Sequence, residues 1–207
     1  MKDKLEIFIS SIWAGVAISI GAIAYLCTKQ ALLFPIGLLI VCAYHLNLFT
    51  GKAPYIAGIS GIPKLILILF GNIVGATLMG IVFGYAKPTL IVSAMEICRS
   101  KLTEGWEIIP LAIMCNVLLF IAVDTFKNEN VSHIFRTIIL WMATSIFVFC
   151  GFEHCIANVF YFSVAGLFNL NVLRYLLLNI LFNAIGGILI YQSFYYIIDT
   201  MVEKNEN

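Results

Sequence analysis

Residues 151–158 have the sequence GFEHCIAN, and this stretch decides the fold predicted for the chain. It interrupts an apolar segment that runs from residue 134 to about residue 168. Backbone that leaves a helix at membrane depth is tolerated only where it is buried in protein or lines a cavity. Ionisable side chains at that depth are candidates for function. The stretch therefore predicts a broken membrane helix beside a solute path, with Glu153 and His154 as functional candidates.

The composition predicts an integral membrane protein. The 207 residues are 62% hydrophobic and only 11% charged, and the mean hydropathy is +1.02. A soluble domain of this length needs more charged residues on its surface, and a spanning helix needs roughly 20 apolar residues. The first apolar segment is expected to stay as a membrane helix, because no small-residue cleavage site follows it. Six helices are predicted, at 7–27, 31–48, 63–86, 106–126, 134–150 with a broken continuation to 168, and 172–198.

The remaining composition argues against several classes of protein. A net charge of +1, without a basic block, gives no sign of nucleic-acid binding. The six cysteines form no C-x-x-C pair and are predicted to be small core residues. No phosphate-binding loop, dinucleotide fingerprint or zinc-ligand spacing is present. We therefore expect neither an enzyme nor a bound cofactor or metal ion.

A second polar interruption, at residues 47–54 (NLFTGKAP), matches the first in position. Beyond the two interruptions, the third predicted helix carries Asn72 and Gly75, and the sixth carries Asn183 and Gly186. Each pair stands one helical turn apart on one face. Small residues there let helices approach closely, and an asparagine can bond across the contact. The two interruptions and the two Asn-Gly pairs together predict an internal repeat.

The predicted repeat makes one membrane channel domain, residues 1–207, with halves at roughly 1–100 and 101–207. Each half has three helices, and because three is an odd number the two halves insert into the membrane with opposite orientations. Broken second and fifth helices in such a repeat indicate a solute site near the middle of the membrane. Lysine and arginine favour cytoplasmic segments, which argues weakly for two cytoplasmic termini. With that orientation seven of the twelve cations lie inside: Lys2, Lys4, Lys52, Lys64, Lys127, Arg136 and Lys204.

Polar side chains near the interruptions are the candidates for contact with a solute. We predict that Glu153 accepts hydrogen bonds from loop N–H groups and that His154 faces the lumen as a donor to an anion. Thr50 is interpreted as the counterpart of His154 in the first half. Lys101, placed in a loop before the fourth helix, would raise the local anion concentration if it folds toward the pore. The predicted pore set is His154, Thr50, Lys101, Asn116, Glu153 and Asn158.

Three stretches together resemble the formate/nitrite transporter family: LFTG at 48–51, GNIVG at 71–75 and GFEHCIANVF at 151–160. The resemblance covers nearly the whole chain and implies an all-α, aquaporin-like fold assembled as a homopentamer with one pore per protomer. Within it, Thr50 and His154 match pore positions that face each other, and Leu48 and Phe147 match apolar constrictions. Lys101 and Asn116 match the family's lysine before the fourth helix and the asparagine within that helix.

Three residues depart from the family pattern. Asn47 and Lys52 stand where the family has a glutamate and an asparagine, and Arg136 replaces a lysine. A Lys52 side chain that reaches the vestibule would strengthen the attraction of anions. The link from Thr50 to Asn72 is also shorter than in the family, which predicts that the second helix is truncated after its interruption.

These residues predict proton-linked passage of a small monovalent weak-acid anion, such as formate, nitrite or hydrosulfide. A naked anion cannot cross apolar constrictions cheaply, so His154 and Thr50 are expected to donate hydrogen bonds and to transfer a proton. Two alternatives stay open: a neutral-solute channel of the same architecture, and a membrane anchor for a redox enzyme, which needs haem-ligating histidines. The expected location is the lipid bilayer of a prokaryotic inner or plasma membrane.

Overall fold

The computed structural model describes residues 2–56 and 58–205, and the regular structure in that part of the chain is entirely helical. Short 3₁₀ turns lie at Ala31–Leu33, Ala53–Tyr55 and Ile59–Gly61. The α-helices are α1 (Lys2–Thr28), α2 (Ile36–Ala43), α3 (Phe49–Lys52), α4 (Ile62–Ala86), α5 (Thr89–Thr103), α6 (Ile108–Lys127), α7 (His133–Phe149), α8 (Cys155–Val164) and α9 (Leu170–Asn205).

Four helical segments are long and apolar enough to cross a membrane. They are Lys2–Thr28, Ile59–Ala86, Ile108–Lys127 and Leu170–Ile198. Three shorter apolar segments accompany them: Ala31–Ala43, His133–Phe149 and Cys155–Val164. Each helix predicted from the sequence overlaps one of these segments, and the fifth predicted helix overlaps two of them because it is broken.

The connection between the third and fourth predicted helices is not the loop that the sequence analysis expects. Thr89–Thr103 forms α5, which packs on α8 and buries Leu90, Ala94 and Cys98 at four-residue spacing. This spacing is that of one helical face. The charged residues on the rest of α5 leave it without an apolar window long enough to span a bilayer. The prediction that Lys101 is a loop cation is therefore wrong, because Lys101 lies in the last turn of α5.

Both predicted interruptions are present. α2 ends at Ala43 before α3 begins at Phe49, and α7 ends at Phe149 before α8 begins at Cys155. The second interruption turns at Gly151, whose φ of 69° is a left-handed conformation that glycine adopts readily. The truncation expected after the first interruption is also present, since α3 has 4 residues and α8 has 10.

Asn72 holds the first interruption against α1 and α4. Its side-chain Oδ1 accepts a hydrogen bond from the N–H of Phe49 at 2.7 Å. Its Nδ2 donates to the carbonyls of Ser11 and Asn47, at 2.7 and 2.8 Å. One buried amide therefore satisfies two backbone groups that the interruption leaves without intrahelical partners, and its third bond ties them to α1.

Asn183 does the same for the second interruption. Its Oδ1 accepts from the N–H of Cys155 at 2.9 Å, and its Nδ2 donates to the carbonyls of Ala112 and Glu153 at 2.7 and 2.8 Å. The prediction that the two asparagines bond across helix contacts is confirmed. The matched bonds also correct the predicted correspondence between the halves: Phe49 pairs with Cys155, so the counterpart of His154 is Leu48 and not Thr50.

The glycines one turn beyond these asparagines allow close helix packing. A Cβ on Gly75 would lie 2.1 Å from the carbonyl oxygen of Ile12 on α1, and a Cβ on Gly186 would lie 2.5 Å from that of Ile113 on α6. Real Cβ atoms do not approach an oxygen so closely. The predicted role of these two glycines in helix approach is therefore confirmed.

Replacing Asn183 with alanine is expected to destabilise the protein by roughly 3 kcal/mol, because three buried hydrogen bonds are lost together. Thermal unfolding of the purified protein in detergent measures the effect. Asn171→Ala is the matched control, since Asn171 is exposed on the same helix and its replacement is expected to change stability by less than about 0.5 kcal/mol. Equal melting temperatures for the two variants would contradict the role given to Asn183.

Candidate functional site

His154 and Thr50 meet where the two interruptions approach each other. The Nε2 of His154 and the Oγ1 of Thr50 are 3.0 Å apart, and both side chains are buried. His154 also caps α8, because its Nδ1 accepts a hydrogen bond from the N–H of Ala157 at 3.2 Å. A ring nitrogen that accepts this bond carries no proton, so the neutral ring is protonated at Nε2. Nε2–H then donates to Thr50, and the Thr50 hydroxyl can donate to a solute.

Two cavities flank this pair. One, of about 260 Å³, is lined in part by Leu48 and by Gly51, the residue that follows Thr50 in the chain; we call it the Leu48 vestibule. The other, of about 240 Å³, is lined in part by Phe147 and His154; we call it the Phe147 vestibule. The two predicted constriction residues therefore line different cavities.

The rings of Phe147 and His154 stack, with centroids 5.8 Å apart and planes inclined by 25°. Phe34 packs edge-on against Phe147 at 5.5 Å between centroids and lines the same vestibule. Phe34 is a residue that sequence reasoning missed, because nothing in its apolar surroundings distinguishes it from a core phenylalanine. The apolar face of the imidazole is thus covered by Phe147, while its Nε2–H is directed at Thr50.

Glu153 bonds differently from the prediction. Its carboxylate does not take loop N–H groups as partners; it forms an ion pair with Lys101 Nζ, at 2.5 and 2.6 Å to the two oxygens, and accepts from Asn158 Nδ2 at 2.6 Å. The side chain of Glu153 is 1% exposed and that of Lys101 is 12% exposed. Lys101 does line the Phe147 vestibule, but Glu153 compensates its charge directly.

Asn179 completes this polar cluster and was not predicted. Its Oδ1 accepts from Asn158 Nδ2 at 2.7 Å, and its Nδ2 donates to the Glu153 carbonyl at 2.7 Å. Asn179 stands four residues before Asn183, on the same face of α9. That spacing was the sequence signal that could have identified it.

Asn116 lies away from both cavities, although it was placed in the pore set. It is fully buried on α6, with its Nδ2 beside Gly187 of α9. Neither of its polar side-chain atoms has a hydrogen-bond partner among the described residues. The other five members of the set line the Phe147 vestibule or, in the case of Thr50, contact His154.

The two vestibules differ in charge. Three cations and one carboxylate line the Leu48 vestibule: Lys52, Lys127, Arg136 and Glu129. One cation and two carboxylates line the Phe147 vestibule: Lys101, Glu104 and Glu153. Carboxylates therefore outnumber the cation among the described residues that line the Phe147 vestibule, and the excess of cations lies in the Leu48 vestibule. Within the described part of the chain, no group of three or more His, Cys, Asp or Glu side chains could hold a metal ion.

The sequence and the fold both match known proteins. A family model described as "Formate/nitrite transporter" matches residues 1–197. The formate channel FocA of Haemophilus influenzae (strain Rd) is 26% identical, over 74% of this chain and 64% of the relative. The formate channel FocB of Escherichia coli (strain K12) is 23% identical, over 77% of this chain and 66% of the relative. The match thus spans slightly less than two thirds of each relative's length.

A solved structure described as a pentameric formate channel with formate bound has the same fold. Its TM-score is 0.86 at 23% sequence identity, over 96% of this chain and 98% of the solved one. At this level of identity the likeness shows the fold alone.

Proposed function

Because the chain belongs to the formate/nitrite transporter family, we propose that it conducts a small monovalent weak-acid anion, such as formate, nitrite or hydrosulfide, across a membrane. The family is one of membrane transporters, so the chain is an integral membrane transport protein and not an enzyme. The observation that carries the substrate proposal is the His154–Thr50 pair, buried between two cavities with hydrogen-bond donors available. The formate channels among the relatives and solved structures support formate as the first anion to test.

In the proposed mechanism, an anion enters a vestibule and loses water at an apolar constriction, Leu48 on one side or Phe147 on the other. Desolvation of an anion there is costly. The Thr50 hydroxyl and, after a small displacement, the His154 Nε2–H replace the lost water with hydrogen bonds to the anion. Proton linkage requires His154 to take a second proton at Nδ1, which opens the bond from Ala157 N–H. The ring can then pass its Nε2 proton to the anion, and the neutral acid leaves past the opposite constriction.

We propose that six spans form an inverted repeat, assembled as a homopentamer in a prokaryotic inner membrane. The matched bonds of Asn72 and Asn183 support the repeat, and the pentameric description of the solved relative supports the assembly. The distribution of lysine and arginine supports cytoplasmic N- and C-termini. This orientation directs the Leu48 vestibule, with its excess of cations, toward the cytoplasm.

The function is tested by anion flux into liposomes that contain the purified protein, with formate, nitrite and hydrosulfide at two pH values. Flux that exceeds that of empty liposomes and rises at lower pH is the expected result, and the fastest anion identifies the preferred substrate. Absence of flux for all three anions, from an oligomer that remains intact, would overturn the proposal. Native mass spectrometry of the same preparation tests the pentamer.

A neutral-solute channel is the second candidate, and the pairing of Lys101 with Glu153 favours it. A vestibule whose lysine is compensated by a buried carboxylate attracts anions less than a free lysine does. Such a channel would pass water or a small polar solute at a rate that is independent of pH. The same liposomes, examined for osmotic swelling in a neutral solute, distinguish the two candidates.

Glu104, in the connection between α5 and α6, is expected to make flux depend on pH. Burial, reinforced by the negative charge of Glu153, raises its pKa to about 7, although Lys101 and a 3.2 Å hydrogen bond from Tyr175 act in the opposite direction. Above pH 7 Glu104 is charged and repels anions from the Phe147 vestibule; below pH 7 it becomes neutral. Access from this side is therefore expected to increase about two- to fivefold as pH falls from 8 to 6.

Glu104→Gln is expected to remove this component, raising flux at pH 8 about two- to fivefold, while the pH dependence that comes from proton linkage stays. Formate influx at a fixed formate concentration measures it. Glu96→Gln is the control, because Glu96 lies on the exposed side of α5 and its side chain is 78% exposed. An unchanged pH profile in Glu104→Gln would show that the titrating group lies elsewhere.

A further inference from the structure

The Leu48 vestibule brings together cations from three separate parts of the chain. Lys52 ends α3, Lys127 ends α6, and Arg136 lies in the first turn of α7, yet all three line one cavity of about 260 Å³. Glu129 is the carboxylate in its lining, and His45 is the titratable ring. Like charges in one cavity repel one another, so an anion that binds among them relieves this repulsion.

Within residues 2–56 and 58–198, these cations have no direct ion-pair partner. Within residues 2–56 and 58–198, the ion pairs closer than 4.0 Å join Lys29 with Glu96 and Lys101 with Glu153. Lys127 Nζ lies 4.2 Å from the centroid of the Tyr55 ring, a contact that leaves its charge uncompensated. The nearby carboxylate of Asp124 accepts a hydrogen bond from the Tyr55 hydroxyl at 2.7 Å and does not line the cavity.

Arg136 gives a second, independent observation at this cavity. Its Nη1 donates to the carbonyl of Phe126 at 3.3 Å, which anchors one edge of the guanidinium beside the cavity. Its Nε is buried and has no hydrogen-bond partner among the described residues. A buried N–H without an acceptor is costly, and an oxyanion is the acceptor that a guanidinium binds best.

We propose that the Leu48 vestibule is a binding site for a divalent oxyanion of the size of sulfate or hydrogen phosphate, held by Lys52, Lys127 and Arg136. Three cations against one carboxylate leave two positive charges, which one dianion balances. The phosphodiester of a membrane lipid carries a single negative charge, so the charge balance favours a free dianion over a lipid headgroup.

The bound dianion blocks the path of the permeant anion. It lies in front of Leu48 and cannot follow a monovalent anion through the constriction, because the cost of desolvating an ion rises steeply with its charge. The proposed block depends on the proposed function, because it assumes that the protein conducts an anion. The binding of the dianion does not depend on that function. A dianion in this vestibule would therefore lower formate flux, because it occupies the entrance that formate uses.

Binding is tested by isothermal titration of the purified full chain in detergent with sulfate, which is a dianion at all relevant pH values. Saturable binding is expected, and Lys52→Asn is expected to weaken it about tenfold through loss of a charge-assisted hydrogen bond. Lys29→Asn, which removes an exposed lysine in a contact away from this vestibule, should leave binding unchanged. No saturable binding, or equal affinity in Lys52→Asn and the unsubstituted protein, would overturn the site.

Two further experiments test whether the bound anion is a free ion or a lipid headgroup, and whether its binding blocks formate flux. In nanodiscs of neutral lipid and of anionic lipid, sulfate is expected to bind with similar affinity; sulfate binding abolished by anionic lipid would assign the site to a headgroup and overturn the proposal. In liposomes, sulfate is expected to inhibit formate flux of the unsubstituted protein more strongly than that of Lys52→Asn. Sulfate binding without such inhibition would overturn the block, and sulfate binding without any formate flux would overturn the proposed function while leaving the site in place.

Discussion

Replacing His154 with phenylalanine is expected to lower formate flux by about 100-fold. The Nε2–H of His154 is directed at Thr50 between the two vestibules, and a hydrogen bond to a charged partner contributes up to about 3 kcal/mol, the equivalent of that factor. Phenylalanine removes this donor and leaves the dehydrated anion with Thr50 alone. Stopped-flow measurement of formate uptake into liposomes gives the rate, and size-exclusion chromatography shows whether the oligomer survives the loss of the cap on α8.

His154→Gln separates hydrogen bonding from proton transfer. Glutamine keeps an N–H donor of similar reach but cannot accept and release a proton near neutral pH. If His154 transfers protons, His154→Gln conducts formate and loses the coupled movement of protons, which a pH-sensitive dye inside the liposomes records. His133→Phe is the control, because His133 is exposed at the start of α7. Unchanged proton-coupled flux in His154→Phe would contradict the proposed role of His154.

The interruptions could be predicted from the sequence because their causes are local. Polar and glycine-containing stretches inside apolar segments have few structural solutions in a bilayer. The spacing of asparagine and glycine on α4 and α9 likewise indicates which face of each helix packs against a neighbouring helix. These features depend on residues close in the chain, so the sequence carries them directly.

The partners of the polar side chains could not be predicted because they depend on distant segments. Lys101 and Glu153 come into contact because α5 packs on α8. The sequence analysis looked for long apolar segments, and α5 carries too many charged residues to be recognised as one. The sequence analysis matches Thr50 with His154 by its place in the first interruption, whereas the backbone bonds to Asn72 and Asn183 match Leu48 with His154. Asn116 is in the predicted pore set because it matches an asparagine of the family, and an apolar helix does not reveal from its sequence which face meets α9.

Replacing Lys101 with methionine is expected to destabilise the protein by about 3–5 kcal/mol. The change leaves the Glu153 carboxylate, 1% exposed, without its cation, although Asn158 still donates a hydrogen bond to it, and an uncompensated buried charge has this cost. Thermal unfolding in detergent measures the loss. Lys29→Met is the matched control, since Lys29 and Glu96 form an exposed pair at 3.4 Å that is expected to contribute less than about 1 kcal/mol.

The double substitution Lys101→Met with Glu153→Gln distinguishes loss of a charge partner from loss of packing. A neutral amide in place of the carboxylate still accepts the hydrogen bond from Asn158 and no longer needs a cation. The double variant is therefore expected to unfold at a higher temperature than Lys101→Met alone, a non-additive result typical of two groups in direct contact. Additive losses would instead mean that Lys101 stabilises α5 through its aliphatic stem. Because Glu153 adjoins His154, recovery of the melting temperature together with recovery of formate flux would also mean that the ion pair serves to position the interruption and not to attract the anion.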